Sequence, residues 1–265
     1  AISGINGNET LTYTMVGEPV GQFYGYKVIG MFKEESDFYK KDADGNFQLD
    51  EAGNRIRIAI PKGQQISKNG IWVGDYIYED LHEDGVIDEK DRTFLGNPAP
   101  KFTFGFNNYF AYKGFDLNIF LNGSVGNKAV NLIRRTFTDP MRNSNLLKEA
   151  TDIALIGMHD PEVGDEELSN VYIVNADRAK VQRVTTSSAN DNNRISSRFI
   201  EDASYLRIKN ISLGYTFPRK WLRHLQIDNI RLYVNIQNLC TISGYKGYDP
   251  EIGALNYNVL LRGVD

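Results

Sequence analysis

From Ile230 to Asn238 the chain alternates without a break, with Ile230, Leu232, Val234 and Ile236 on one parity and Arg231, Tyr233, Asn235 and Gln237 on the other. A period of two leaves no helical stripe, so the segment is predicted to be a strand with one apolar and one polar face. The pattern recurs from Gly114 to Gly123, where Phe115, Leu117, Ile119 and Leu121 oppose Asp116, Asn118 and Asn122. Phe102 to Phe110 is a further aromatic strand, and Lys113-Gly114 supplies a tight connection, so 101–123 is expected to be a hairpin. A fourth strand is expected over 198–217, ended by Pro218. In it Tyr205, Arg207, Lys209, Ile211, Leu213, Tyr215 and Phe217 share one parity, and Leu206 and Ile208 take the other. The apolar side therefore switches near Asn210, where a bulge or the edge of a bilayer is expected. Weaker strands are expected at 10–16 and 22–32 around Gly17-Glu18-Pro19, and a short turn at 221–225.

These strands fit an ordinary sandwich poorly. Their polar faces carry Asp116, Arg231 and Gln237, which a dry core between sheets resists. Their lengths match the ~9–11 residues that a tilted membrane-crossing strand needs. Connections alternate between tight ones (112–114 and 218–228) and very long ones (33–100 and 124–197). Short turns at one rim and long loops at the other is the outer-membrane barrel layout. A soluble sandwich with one solvated face shares the alternation and stays open on the strands alone.

Composition narrows the classes. A mean hydropathy of −0.41, with no apolar run near ~18 residues, excludes a membrane-spanning helix but not a membrane-spanning strand. Fifteen Tyr, fourteen Phe and 24 Gly against 8 Pro favour pleated strands and turns. A net charge of −4 gives no basic field for nucleic acid. Residues 33–92 hold fifteen Asp/Glu and nine Lys/Arg, a net of −6, as suits a solvated rim. The single Cys240 excludes an internal disulfide framework and is expected to be a small packing residue. His82, His159 and His224 form no HExxH-type pair.

One stretch has metal-ligand spacing. Asp80 to Asp91 follows the twelve-residue calcium-loop grammar, with Asp80, His82 and Asp84 at the first three ligand positions and Gly85 at the turn. The Val86 carbonyl, Asp88 and Asp91 complete the set. Histidine is a poor ligand for calcium, and Asp91 is one methylene shorter than the usual glutamate. The competing reading is an Asp-Gly turn whose carboxylates cap backbone amides. Calcium is therefore a possible ligand, and no cofactor is required. Asp42-Ala43-Asp44-Gly45-Asn46 is expected to be a hairpin turn with Gly45 at positive φ.

Catalytic constellations are missing: there is no GxSxG, P-loop or GxGxxG after a strand. Asp249-Pro250-Glu251 places two carboxylates together, but the intervening proline suggests a turn. No catalytic residue is assigned and the chain is read as a non-enzyme.

Nine short motifs, in order from residue 17 to 251, carry a family resemblance. They are Gly17-Glu18-Pro19-Val20-Gly21-Gln22-Phe23-Tyr24-Gly25-Tyr26, Gly74-Asp75-Tyr76-Ile77-Tyr78-Glu79-Asp80 with Asp84-Gly85-Val86-Ile87-Asp88, and Asp91-Arg92-Thr93-Phe94-Leu95-Gly96-Asn97-Pro98-Ala99-Pro100-Lys101. They continue through Gly105-Phe106-Asn107-Asn108, Tyr112-Lys113-Gly114-Phe115-Asp116-Leu117 and Ser204-Tyr205-Leu206-Arg207-Ile208-Lys209-Asn210. Leu213-Gly214-Tyr215, Gln237-Asn238-Leu239 and Gly247-Tyr248-Asp249-Pro250-Glu251 complete the series. The chain resembles the C-terminal part of a SusC/RagA-family TonB-dependent outer-membrane transporter. The match is weakest over 127–196.

The resemblance implies an all-β fold: antiparallel strands forming a sector of a transmembrane barrel of about 22 strands, plugged in the whole protein. Residues 1–265 are expected to be a partial C-terminal barrel region with extracellular loops 33–100 and 124–197 and no plug domain. The chain opens Ala1-Ile2-Ser3-Gly4 without a visible signal peptide or TonB box and stops at Gly263-Val264-Asp265, so it is read as a fragment. The implied function is a share in an importer of oligosaccharides, or of peptides in some members, in the outer membrane of a Gram-negative bacterium. The implied partners are a SusD-type lipoprotein lid, the TonB complex through the missing N-terminal part, and outer-membrane lipid. Phe115, Leu117, Ile119, Leu121, Ile230, Leu232, Val234 and Ile236 would face lipid. Arg231, Tyr233, Asn235 and Gln237 would face the lumen. Tyr109, Tyr112 and Tyr215 are candidates for an interfacial girdle. Trp72, Tyr76, Tyr78, Tyr172, Asn127 and Asn131 are candidates to bind substrate by ring stacking and amide hydrogen bonds, with ordinary loop packing as the alternative. Two other function classes remain: a soluble calcium-stabilised β-domain acting as a binding or adhesion module, and a secreted hydrolase using Asp249 and Glu251.

Overall fold

The computed structural model describes residues 2–6, 9–253, 255 and 258–264. Strands dominate it, with only the short α-helices Leu132–Phe137 and Arg219–Leu222 among them. Two four-stranded antiparallel sheets carry the architecture. An N-terminal sheet runs in the order Ile2–Asn6, Glu9–Thr14, Gln22–Tyr26, Arg92–Gly96. A wall sheet runs in the order Arg231–Ser243, Tyr205–Thr216, Phe115–Val125, Phe102–Tyr112. Among the described residues the wall is a sector with two open edges and does not close into a barrel.

The 101–123 hairpin forms as expected. Lys113 at φ 46° and Gly114 at φ 89° make the two-residue turn between Tyr112 and Phe115, which are direct partners. Positive φ at both central positions gives a turn twist that matches the strands it joins. The parity switch is also realised. The wall register slips between Phe120 and Leu121 where Lys209 is extra, and again where Asn238 (φ 49°) adds a residue opposite the Ile208–Asn210 stretch. One slip moves Tyr205 and Arg207 off the apolar face that Ile211, Leu213 and Tyr215 occupy, because a one-residue shift inverts every side chain beyond it.

Several expected boundaries shift. The 198–217 strand divides into Ile200–Asp202 and Tyr205–Thr216, and 22–32 divides at Lys27 into Gln22–Tyr26 and Val28–Met31. Ile230 lies just outside its strand, although its carbonyl still accepts from Phe217 N at 3.0 Å. The 221–225 turn is the end of the Arg219–Leu222 helix followed by a 3-10 turn.

The largest departure concerns 33–100 and 124–197. They are long in sequence, yet they pack on each other as one body. Phe32, Phe38, Ile71, Trp72, Val73, Ala154, Val171 and Ile173 form its apolar core. Leu11, Phe23, Val130, Ile195, Phe199, Leu261 and Val264 join that body to the N-terminal sheet. Its strands are only two to five residues long, too short to show a period. Tyr39, Lys41, Leu49 and Arg57 mark a small ribbon with two matching turns. The expected one has Gly45 at φ 87°, and the unforeseen Asp50-Glu51-Ala52-Gly53-Asn54 has Gly53 at φ 82°. In each, the leading aspartate accepts from two backbone amides, which holds its carboxyl below the usual range.

Candidate functional site: the polar wall face and the loop body

Cross-strand pairing sorts the wall residues by face. Tyr112, Phe115, Tyr215 and Leu232 lie in one row, Phe110, Leu117, Leu213 and Val234 in the next, and Ile119, Ile211 and Ile236 in a third. Leu121, Ile208 and Cys240 continue the same face past the bulges. Most of its large side chains stand exposed, Phe106 at 55% and Val234 at 64%. Cys240 is exposed as well and packs into no core.

The opposite face is polar. Asn107, Tyr109, Asp116, Asn118, Asn210, Ser212, Arg231, Tyr233 and Asn235 line one open groove there. Tyr109 therefore stands among amides, opposite Asn118, and not in an interfacial girdle as expected. An Asp116–Arg231 ion pair crosses the groove, with Nε to Oδ1 at 3.0 Å. It passes directly over Gly214, where a Cβ would sit 2.5 Å from the guanidinium and 2.6 Å from the carboxylate. A side chain at this position would push the bridge aside, so glycine leaves room for the pair to lie flat across the strand. Deeper on the same face, Arg207 is buried and bridges to Asp249 and Glu251, the latter at 2.7 Å. One guanidinium thus bridges both carboxylates of the Asp-Pro-Glu motif, which latches that loop to the wall strand.

The loop body is held by a buried polar staple. The Arg183 guanidinium donates to Asp75 at 3.0 and 3.1 Å and to the carbonyls of Lys68 and Gly70. Asn192 donates to Asp75 at 2.9 Å and accepts the Tyr76 amide at 3.0 Å, while Asn190 donates to the Tyr76 carbonyl. Gly74 has φ +94° and leaves only 2.8 Å between an added Cβ and Arg183. Here the Gly-Asp of the second motif acquires its physical reason: a tight backbone approach and a charge-paired anchor. Arg183, Asn190 and Asn192 carry no local signal, since their partners lie over a hundred residues away.

The six expected substrate residues are placed otherwise. Trp72 is in the apolar core. Tyr76 and Tyr78 are buried, donate to the Lys180 and Asp191 carbonyls, and have hydroxyls whose pKa burial pushes up. Asn127 donates to the Ala203 carbonyl, and Asn131 caps the Leu132–Phe137 helix through the Arg134 amide. Burial within this segment can only deepen as more protein surrounds it, so these five side chains offer sugars no free face. Tyr172 is half-buried and stacks on His159 at 4.6 Å, so the structure does not bring it together with the others as one site.

The calcium grammar resolves into a capped turn. Asp80 accepts from Gly85 N, Asp84 from Val86 N and Asp88 from Lys90 N. Asp91 is buried and accepts from both Leu81 N and Asp88 N. Among the described residues, no three Asp, Glu, His or Cys side chains are grouped to hold an ion. Asp80, Asp84 and Asp88 each place one carboxylate oxygen on a backbone amide, and Asp80 Oδ1 is buried without a hydrogen-bond partner among the described residues.

No protein-family profile matches the chain. Among curated proteins, TonB-dependent receptor P3 of Formosa agariphila is 31% identical over 91% of this chain and 20% of its own length. The TonB-dependent receptor SusC of Bacteroides thetaiotaomicron is 25% identical over 83% of this chain and 20% of its own. The chain thus spans about a fifth of the length of these relatives. Among solved structures, one titled as the RagAB peptide transporter superposes with a TM-score of 0.58 at 19% identity, covering 96% of this chain and 23% of that one. At that identity the likeness establishes the fold.

Proposed function

The chain belongs, as a segment, with the SusC/RagA type of TonB-dependent receptor, and from that premise we propose that it forms part of the wall and outer rim of an outer-membrane nutrient importer. The observation that carries this reading is the two-faced wall sheet. Phe115, Leu117, Leu232, Val234 and their row partners make one continuous apolar face that no other element covers among the described residues, as lipid requires. Arg231, Tyr233 and Asn235 share the other face with Asp116 and line the lumen. Gln237, paired with Asn210, continues that face. Both sheet edges are open, and lipid does not tolerate unpaired edges, so neighbouring strands of the whole receptor must complete them.

The solute is an oligosaccharide, handled with a SusD-type lipoprotein lid and energised by the TonB complex. Amide and hydroxyl groups on the lumen face suit a neutral, hydroxyl-rich solute, and the acidic 33–92 stretch of net −6 disfavours anionic ones. The soluble adhesion reading would leave the apolar rows of the wall facing water, with Phe106, Phe110, Leu232 and Val234 all exposed. An antibody to this segment is expected to find a heat-modifiable outer-membrane band several times larger than 30.0 kDa, and deleting the gene should abolish uptake of labelled oligosaccharide. A detergent-independent soluble band at 30.0 kDa would sink the proposal. Uptake of labelled peptide in place of glycan would reassign the substrate.

A further inference from the structure

The two ends of the wall sheet differ in charge. At the short-turn end, Lys113 and the 217–230 connection converge, because Thr216 N donates to the Gly114 carbonyl at 2.8 Å and Phe217 N to Ile230 at 3.0 Å. This end exposes Lys113, Arg219, Lys220 and Arg223 against one carboxylate of the connection, Asp228. Among the described residues, Arg219, Lys220 and Arg223 form no ion pair. They are also continuous with the apolar wall face. Rings step from Phe115 to Tyr215 at 4.5 Å, to Phe217 at 5.1 Å and to Trp221 at 6.3 Å, and Trp221 is 62% exposed. Aromatic rings at the end of an apolar band settle at the headgroup level of a bilayer, and cations beside them meet lipid phosphates.

We propose that the 217–230 turn, with Lys113, is a binding surface for anionic phospholipid headgroups: Trp221 anchors at the interface while Arg219, Lys220 and Arg223 engage phosphate. Leu222 is buried and pins the short helix to the protein, leaving Arg219, Lys220, Trp221 and Arg223 exposed around it. The surface selects lipid by charge. It therefore acts on the leaflet at the short-turn rim and leaves the acidic loop rim without such a preference.

The test uses the whole receptor reconstituted in phosphatidylcholine vesicles containing phosphatidylglycerol, with spin-labelled versions of the two lipids as probes. The unaltered receptor should hold phosphatidylglycerol severalfold over phosphatidylcholine, with the preference shrinking as salt screens it. The Arg219→Gln/Lys220→Gln/Arg223→Gln variant should bring the ratio close to one. Equal retention of both lipids by the unaltered receptor would overturn the proposal, as would a preference that survives in the variant. If the triple variant gives no heat-modifiable band, Lys220→Gln alone and the salt titration of the unaltered receptor decide. Lipid selectivity and solute uptake are read separately, so either can fail without the other.

Discussion

In the loop body Phe32 and Phe38 stack face to face at 4.1 Å, each 1% exposed, while in the wall sheet Phe106 and Phe110 stand 55% and 58% exposed. The same residue type is used in opposite ways within one chain. The loop body has a three-dimensional core that its own residues fill. The wall is a single layer, held by long ladders of 10 and 11 paired residues, with no second layer to bury its apolar rows. Most of its large apolar side chains stay exposed within this chain and are accommodated by a solvent of matching polarity. Polar residues follow the same division. In the body Arg183 and Asp75 are buried and fully partnered, whereas the wall's Asp116–Arg231 bridge lies open on a face.

That contrast can be broken at its strongest point first. Asp75→Ala strands the buried Arg183 charge and should cost about 3–5 kcal/mol. The expected result is loss of hydrogen-exchange protection across 68–76 and 183–192, with the wall strands still protected. Phe32→Ala removes one ring of the stacked pair and should destabilise the body by a similar ~3–5 kcal/mol, read from its urea midpoint in the intact receptor. The reverse experiment attacks the wall. Val234→Arg puts a charge in the middle of an apolar row and should cost about 2–4 kcal/mol in a bilayer. Folding yield into vesicles should fall while loop-body exchange is unchanged. Equal damage to both regions would contradict the division.

The smallest effect sharpens the boundary between them. At the rim, hydrogen bonds from Ser204 and then the Lys128 ammonium hold Asp202 well below its ordinary 3.8, at about 2. A depressed carboxylate contributes stability at pH above its unfolded value and loses it as pH falls through the folded one. Asp202 thus adds a modest, solvent-screened increment that disappears between pH 3.8 and about 2. Asp202→Asn should flatten rim stability over that interval and leave the loop-body core untouched, checked by following local exchange against pH.

Legibility tracked distance along the chain. The hairpin at Lys113-Gly114, the faces of Phe115–Leu121 and Arg231–Gln237, and the parity switch near Asn210 were all readable, because each depends on residues a few positions apart. The motif Gly74-Asp75 was visible as a pattern but not as a structure, since its meaning lies in Arg183, 108 residues beyond Asp75. Trp72, Tyr76 and Tyr78 looked like sugar-stacking rings for the same reason: aromatic residues in a polar loop advertise binding until the partner segment that buries them is in place. Asp80 to Asp91 had the spacing of a cation loop, yet spacing fixes only which carboxylates are near one another. Whether they converge on a point or turn back to cap amides is decided by backbone dihedrals.

Local pattern was enough to specify the wall: period-two alternation is set by the pleat, and two adjacent residues set the hairpin turn. The loop body, by contrast, takes its form from long-range packing, with short strands pairing across separations such as Glu34 with Tyr172 and Ile153 with Val181. The physical reason is loop closure. Bringing such distant segments together costs conformational entropy that no local pattern records, and it is offset only when Ile71, Trp72, Val73, Val171 and Ile173 leave water together.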